Sequence, residues 1–175
     1  MKEIWNESCI LSPSLICLDM CNLEREVRSL EKAGIKMLHV DILDGHFSPS
    51  MPLGLDTVRQ LRAKTDMFFD CHVMVTGQDY FVDELLDIGV DQIVFHGETQ
   101  PHIDGMLNRI HAKGVKAGVA LKPSTPLTEL EYVLDKCDTV LLMLINPGYA
   151  FVKGEKQVAY ADRKIRELRK MITDR

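Results

Sequence analysis

Six times along these 175 residues a short apolar run suited to a β-strand is followed by an apolar stripe at helical spacing. Residues 9–17, 37–43, 67–74, 92–96, 115–121 and 139–145 read as the strands, the first of them interrupted by Ser12-Pro13-Ser14. Between them lie helical stripes: Leu23, Val27 and Leu30 after an N-cap at Asn22, then Leu55, Val58 and Leu61. Phe81, Leu85 and Ile88 follow within a helix over 79–88, and Ile103, Leu107 and Ile110 mark the next. Thr125-Pro126 reads as an N-cap with proline at the first helical position, opening a helix to about Leu134, and a last helix covers roughly 155–171. A glycine followed by Ile or Val precedes three strands, at Gly34, Gly89 and Gly114. Residues 139–145 are apolar without interruption, as expected of a strand buried on both faces. No stretch changes composition enough to suggest a linker, so 1–175 is read as one α/β domain of βα units around a parallel sheet.

The hydrophobic content of 46% and charged content of 27% are ordinary for a globular chain, and the net charge of −5 leaves no electrostatic footprint for nucleic acid. No apolar run approaches the roughly 18–20 residues of a membrane span. Lys2, Glu3 and Glu7 interrupt any early apolar region, so no signal peptide is expected. The five cysteines, Cys9, Cys17, Cys21, Cys71 and Cys137, are odd in number and contain no CxxC pair. They suit a reducing cytoplasm better than a disulfide scaffold.

The stretch from Met37 to Phe47 carries the chemistry. Alternation places Leu38, Val40 and Ile42 on one face of a strand, and Met37, His39, Asp41 and Leu43 on the other, ahead of a glycine turn at Gly45. The strand 67–74 repeats the device with Asp70, His72 and Met74 on one side. Inward imidazoles and carboxylates at strand ends are costly to bury unless something pairs them, and a divalent metal would do so. Two closures of the sheet are open, a doubly wound sheet and a (β/α)8 barrel. A barrel is favoured, because its strands carry polar groups inward at their C-terminal ends and no G-x-G-x-x-G or Walker A motif supports a nucleotide-binding open sheet. Six units are two short of closing one.

The chain resembles the ribulose-phosphate 3-epimerases. The matching motifs are Ser12-Pro13-Ser14-Leu15, the run His39 to Phe47, Asp70-Cys71-His72-Val73-Met74-Val75, His96-Gly97-Glu98, Leu121 to Pro126, and Leu142 to Gly148, in family order and spacing from about residue 10 to residue 150. The close relatives that act on allulose 6-phosphate share nearly all of them. The resemblance implies a metal-dependent (β/α)8 TIM barrel of the ribulose-phosphate-binding type. It implies an isomerase of carbohydrate metabolism, in the pentose phosphate pathway, that interconverts D-ribulose 5-phosphate and D-xylulose 5-phosphate through an enediolate. Carried over residue by residue, it makes His39, Asp41 and His72 ligands of a divalent metal, zinc first with iron, manganese or cobalt as alternatives. Asp41 would also be the base that takes the proton. Ser14, His72, Met74, Met143 and Gly148 would meet the substrate. A cytoplasmic homo-oligomer is expected, with no nucleic-acid or membrane partner.

The chain also departs from the family. Inversion needs an acid on the opposite face of the flat intermediate, and in the family this is an aspartate of the seventh strand, also a metal ligand. That strand and the later glycine-serine segment that holds phosphate are absent from these 175 residues. Where the family reads Pro-Gly-Phe-Gly-Gly-Gln, this chain has Pro147-Gly148-Tyr149-Ala150-Phe151-Val152. The sequence is therefore expected to be an incomplete stretch of a barrel chain, without its C-terminal βα units, rather than a natural truncation. The alternatives are the same inversion on allulose 6-phosphate, or a non-catalytic remnant that binds metal or sugar phosphate.

Other polar residues have plainer readings. Asp44 caps the turn before Gly45 or else helps orient Asp41, His46 is a loop residue, Asp70 supports or lines the site, and His96 lines the mouth. The charges from Lys164 to Lys170 form a solvated helix face.

Overall fold

A computed structural model describes residues 8–147, 154 and 156–174. Five parallel strands, β1 (Met37–Leu43), β2 (Phe68–Met74), β3 (Gln92–His96), β4 (Lys116–Leu121) and β5 (Thr139–Leu142), lie side by side in chain order. α1 (Leu23–Lys32) precedes β1; parallel neighbours need a crossover, and α2 (Leu55–Arg62), α3 (Gln78–Ile88) and α4 (Ile103–His111) supply it for every pair but β4 and β5. A fifth, α5 (Ala161–Thr173), follows β5.

The two faces of the sheet separate as alternation requires. Leu38, Val40, Ile42, Phe69, Cys71, Val73, Ile93, Phe95, Val119 and Leu121 form one apolar core with Val27, Val58, Val82, Leu85, Leu107, Ile110 and Leu168 of the helices. Burial of that stripe, at about 25 cal/mol per Å² of apolar surface, is what holds each helix to the sheet. The opposite face is layered. Met37 and Phe68 pack with Ile10 at its N-terminal end, polar residues fill its middle, and Leu43 and Met74 face each other in register at its C-terminal end.

Four segments differ from the sequence expectation, the simplest being the last helix, which begins at Ala161 rather than near 155. The first strand reduces to a single parallel bridge, Ser14 with His39, in which the His39 N–H donates to the Pro13 carbonyl at 2.9 Å. Pro13 has no N–H to continue a ladder, and the chain turns at once into a short 3-10 helix, Leu15–Cys17. After β4, Pro126 is extended and only two 3-10 turns form, Leu127–Leu130 and Leu134–Lys136, instead of an α-helix. The Thr125 hydroxyl that was to cap that helix donates instead to Glu98. Finally β5 is half-buried rather than fully buried, since among the described residues it pairs with β4 alone.

The sheet is an α/β parallel sheet of barrel type, whose closure the described residues do not show. The long loop after β1 folds across its C-terminal end. Phe47 packs on the His96 ring with centroids 4.5 Å apart, Lys122 Nζ sits 4.0 Å over the Phe47 ring, and Ser48 Oγ donates to the Pro147 carbonyl at 2.8 Å. Asp44 anchors that loop: one carboxylate oxygen accepts the His46 and Phe47 N–H groups, and the other accepts the N–H and hydroxyl of Thr76.

Candidate active site

Strand register assembles the site. The β1–β2 ladder sets His39 opposite Asp70 and Asp41 opposite His72, and all four side chains share the face turned away from the helices. His39 Nε2 lies 3.3 Å from Asp41 Oδ1, and His72 Nδ1 lies 3.3 Å from the same oxygen. One ligand atom from each of His39, Asp41 and His72 falls within 4.8 Å of the others, the one such cluster of three or more His, Cys, Asp or Glu residues among the described residues.

This donor set fits a divalent ion. Two imidazole nitrogens and a carboxylate oxygen converge, with coordination positions left over, and borderline ions such as zinc favour that mixture. The outer contacts fit too. The second ring nitrogen of His39, Nδ1, meets Asp70 Oδ2 at 2.8 Å, the carboxylate–histidine arrangement that turns the far nitrogen toward a metal. Gln92 Nε2 donates to the other oxygen of Asp70 at 2.7 Å, and the Thr139 hydroxyl donates to Gln92 Oε1 at 3.0 Å. A hydrogen-bonded layer thus crosses the sheet beneath the cluster, from β1 to β5.

The electrostatics concentrate positive charge at the same point. Burial disfavours the charged form of Asp41, but the imidazoles beside it, His39 above all, outweigh it and hold the carboxyl well below its usual range. Burial likewise works against a charged His39, yet Asp41 and Asp70 together raise its pKa well above the ordinary value. His72, almost wholly enclosed, is pushed the other way by burial. The pocket therefore stabilises a proton or a metal ion between His39 and Asp41 while keeping His72 neutral.

The remaining expected residues fall as follows. Ser14 reaches the cluster from the N-terminal bridge, and its hydroxyl donates to Asp41 Oδ2. Met74 is buried at the end of β2, two residues beyond His72 on the same face. Met143 follows β5 and continues its line, its N–H donating to the Leu121 carbonyl at 3.0 Å. Gly148 lies outside the described residues. Asp70 supports His39 as expected, Asp44 holds the turn, and His46 is exposed in the loop.

Other contacts were not foreseen. His96 touches the site directly: its Nε2 is 3.0 Å from His72 Nε2, and its Nδ1 is 2.7 Å from Glu98 Oε2. Gln92 and His96 share parity on β3, so two inward polar groups in an otherwise apolar strand were the available signal. Lys164, read as part of a solvated face, is instead 7% exposed and donates to the carbonyls of Lys122, Pro123 and Thr125 at 2.8, 2.9 and 2.7 Å. Helical spacing carried that signal, because Ala161, Lys164 and Leu168 lie on one face of α5 and all are buried.

A parallel α/β sheet in sequential strand order, with a metal-capable His–Asp–His cluster on the face turned away from its helices, is the arrangement of an α/β enzyme and is consistent with a βα barrel. Comparison with known proteins narrows this further. Residues 10–175 match the Ribulose-phosphate 3 epimerase family. The chain is 36% identical over 171 residues to the ribulose-phosphate 3-epimerase of Rhodobacter capsulatus, covering 98% of this chain and 73% of that protein. It is 37% identical over 168 residues to the enzyme of that name from Treponema pallidum, covering 96% and 76%. For the Bacillus subtilis protein of the same name, identity is 35% over 165 residues, covering 94% and 75%. The chain belongs to the ribulose-phosphate 3 epimerase family, and is an isomerase of the kind that acts on carbohydrates. Among the described residues, no helix is long and apolar enough to cross a membrane.

Proposed function

We propose that the protein is a metal-dependent 3-epimerase that interconverts D-ribulose 5-phosphate and D-xylulose 5-phosphate. The observation that carries this reading is the convergence of His39, Asp41 and His72 on one face of β1 and β2 in a chain that belongs to this family. The names of its relatives favour a pentulose over a hexulose phosphate.

In this reading His39 Nε2, Asp41 Oδ1 and His72 Nδ1 hold a divalent ion, zinc by preference of the donor set. When bound, the ion supplies positive charge to the substrate carbonyl oxygen, which acidifies the neighbouring C–H. The two oxygens of Asp41 divide the work. Oδ1 faces the imidazoles, and Oδ2, on the Ser14 side, is the oxygen that takes the C3 proton. The Ser14 hydroxyl orients that carboxylate and then meets the substrate. Met74 and Met143 border the flat enediolate, Gly148 is a substrate contact that the resemblance alone implies, and Phe47 covers the site from the loop after β1, excluding water. Return of a proton to the opposite face requires a second acid, which the resemblance assigns to an aspartate in a motif outside these 175 residues.

The test is proton exchange. Zinc-loaded protein incubated with ribulose 5-phosphate in deuterated water should replace the C3 proton, read by NMR. Asp41→Asn should slow that exchange by at least about 100-fold, the usual range for losing a general base. Exchange that persists in the variant would remove Asp41 from this role, and none in the native protein would leave a non-catalytic binder.

A further inference from the structure

One row of polar groups runs outward from the site, and its hydrogen-bond directions can be assigned from the far end. Glu98 Oε1 accepts the Lys122 N–H at 2.6 Å and also the Thr125 hydroxyl, so that oxygen carries no proton. Burial works against the Glu98 charge, but these donors and His96 bring its carboxyl down to about 2. Glu98 Oε2, 2.7 Å from His96 Nδ1, is therefore an acceptor, and His96 Nδ1 must bear the hydrogen. A neutral imidazole has one N–H and one lone pair. His96 Nε2 is then the lone pair, so His72 Nε2, 3.0 Å away, must be the donor. That leaves His72 Nδ1 as a bare lone pair, 3.3 Å from the carboxylate oxygen Asp41 Oδ1. Two acceptors at that distance repel each other unless a cation lies between them. His72 is 1% exposed and His96 0%, so water cannot replace a partner lost from the row.

We propose that Glu98 and His96 are positioning residues that hold His72 in its Nε2–H tautomer and so present Nδ1 to the metal. The two histidines of the site are thereby oriented by different devices. His39 offers Nε2 and is held by the Asp70 carboxylate, whereas His72 offers Nδ1 and is held through a second imidazole. The row is braced from outside: Lys164 of α5 grips the carbonyls of Lys122, Pro123 and Thr125, the segment whose N–H and hydroxyl orient Glu98. The inference rests on the metal-site reading above, and extends it to residues that touch neither metal nor substrate.

Glu98→Gln tests it without changing shape. The donors at Lys122 and Thr125 would claim the amide oxygen, turning the amide NH2 toward His96 Nδ1. Each ring would then reverse, and His72 Nδ1 would carry a hydrogen. Long-range 1H–15N correlation on metal-free protein labelled at histidine should show His72 and His96 as Nε2–H and Nδ1–H in the native chain, and both reversed in the variant. Zinc affinity, measured by chelator competition, should fall about 10- to 100-fold in Glu98→Gln. A native His72 found as the Nδ1–H tautomer overturns the proposal whether or not the variant folds. So does a folded variant with native zinc affinity. If the native protein does not bind zinc at all, the metal-site reading falls as well.

Discussion

Asp41 Oδ1 stands between two imidazole nitrogens, each at 3.3 Å, longer than a good hydrogen bond but right for atoms that share a cation. The raised pKa of His39 has a direct consequence for that sharing. A proton held by Asp41 and Asp70 on His39 must leave before Nε2 can act as a ligand. Below the folded-state pKa of His39 the proton competes, so apparent zinc affinity should rise with pH, by about tenfold per unit while one proton is displaced. Calorimetry in buffers of different ionisation enthalpy checks this directly. Affinity independent of pH between 6 and 8 would mean that His39 is neutral before the metal binds.

Elements hold the site through contacts that pass between them. The buried Lys164 ammonium on α5 satisfies three carbonyls of the loop after β4, and burial lowers its pKa despite the favourable charge of Glu98. Lys164→Met keeps the stem and removes the donors. It should destabilise the protein by about 1–3 kcal/mol, the cost of orphaned buried acceptors, less what is regained by no longer burying a charge. Urea unfolding measures it, and an unchanged midpoint would show that the loop finds other donors. The same contacts explain why the segment after Thr125 is not α-helical. Its hydroxyl and its carbonyl are already engaged, by Glu98 and by Lys164.

At the scale of the molecule, two carboxylates outside the cluster link stability to acid. Asp44, opposed by burial but held by N–H donors of Thr76, Phe47 and His46, sits at about 2 against an ordinary 3.8. Glu98 sits at about 2 against 4.5. Both are lowered in the folded state, so the stability they contribute is complete above about pH 4.5 and is lost as pH falls toward 2. Urea midpoints should therefore decline over that window. Asp44→Asn should flatten the decline while lowering stability at pH 6, because the loop that crosses the strand ends loses its anchor to Thr76. A profile identical to the native one would show that the loop does not depend on this carboxylate.

The alternation of strands and helices, and the facing of His39, Asp41 and His72, were legible in the sequence because side-chain parity is a local property of an extended backbone. Leu38, Val40 and Ile42 went to the helices for the same reason. The extent of the elements was less secure: Ser12-Pro13-Ser14 supports only one bridge, and Thr125-Pro126 opens 3-10 turns because its polar groups bond to Glu98 and Lys164. What the sequence could not determine is which groups meet across the sheet. Asp41 lies beside His72 through the β1–β2 register, and Asp70 meets Gln92 through the β2–β3 register. The buried Lys164, read from composition as surface charge, was placed by the packing of α5. Above all, which nitrogen of His72 turns toward Asp41 depends on His96 and Glu98, 24 and 26 residues away in the chain. Parity is written in neighbouring residues, but register and tautomer are settled only when separate strands pair.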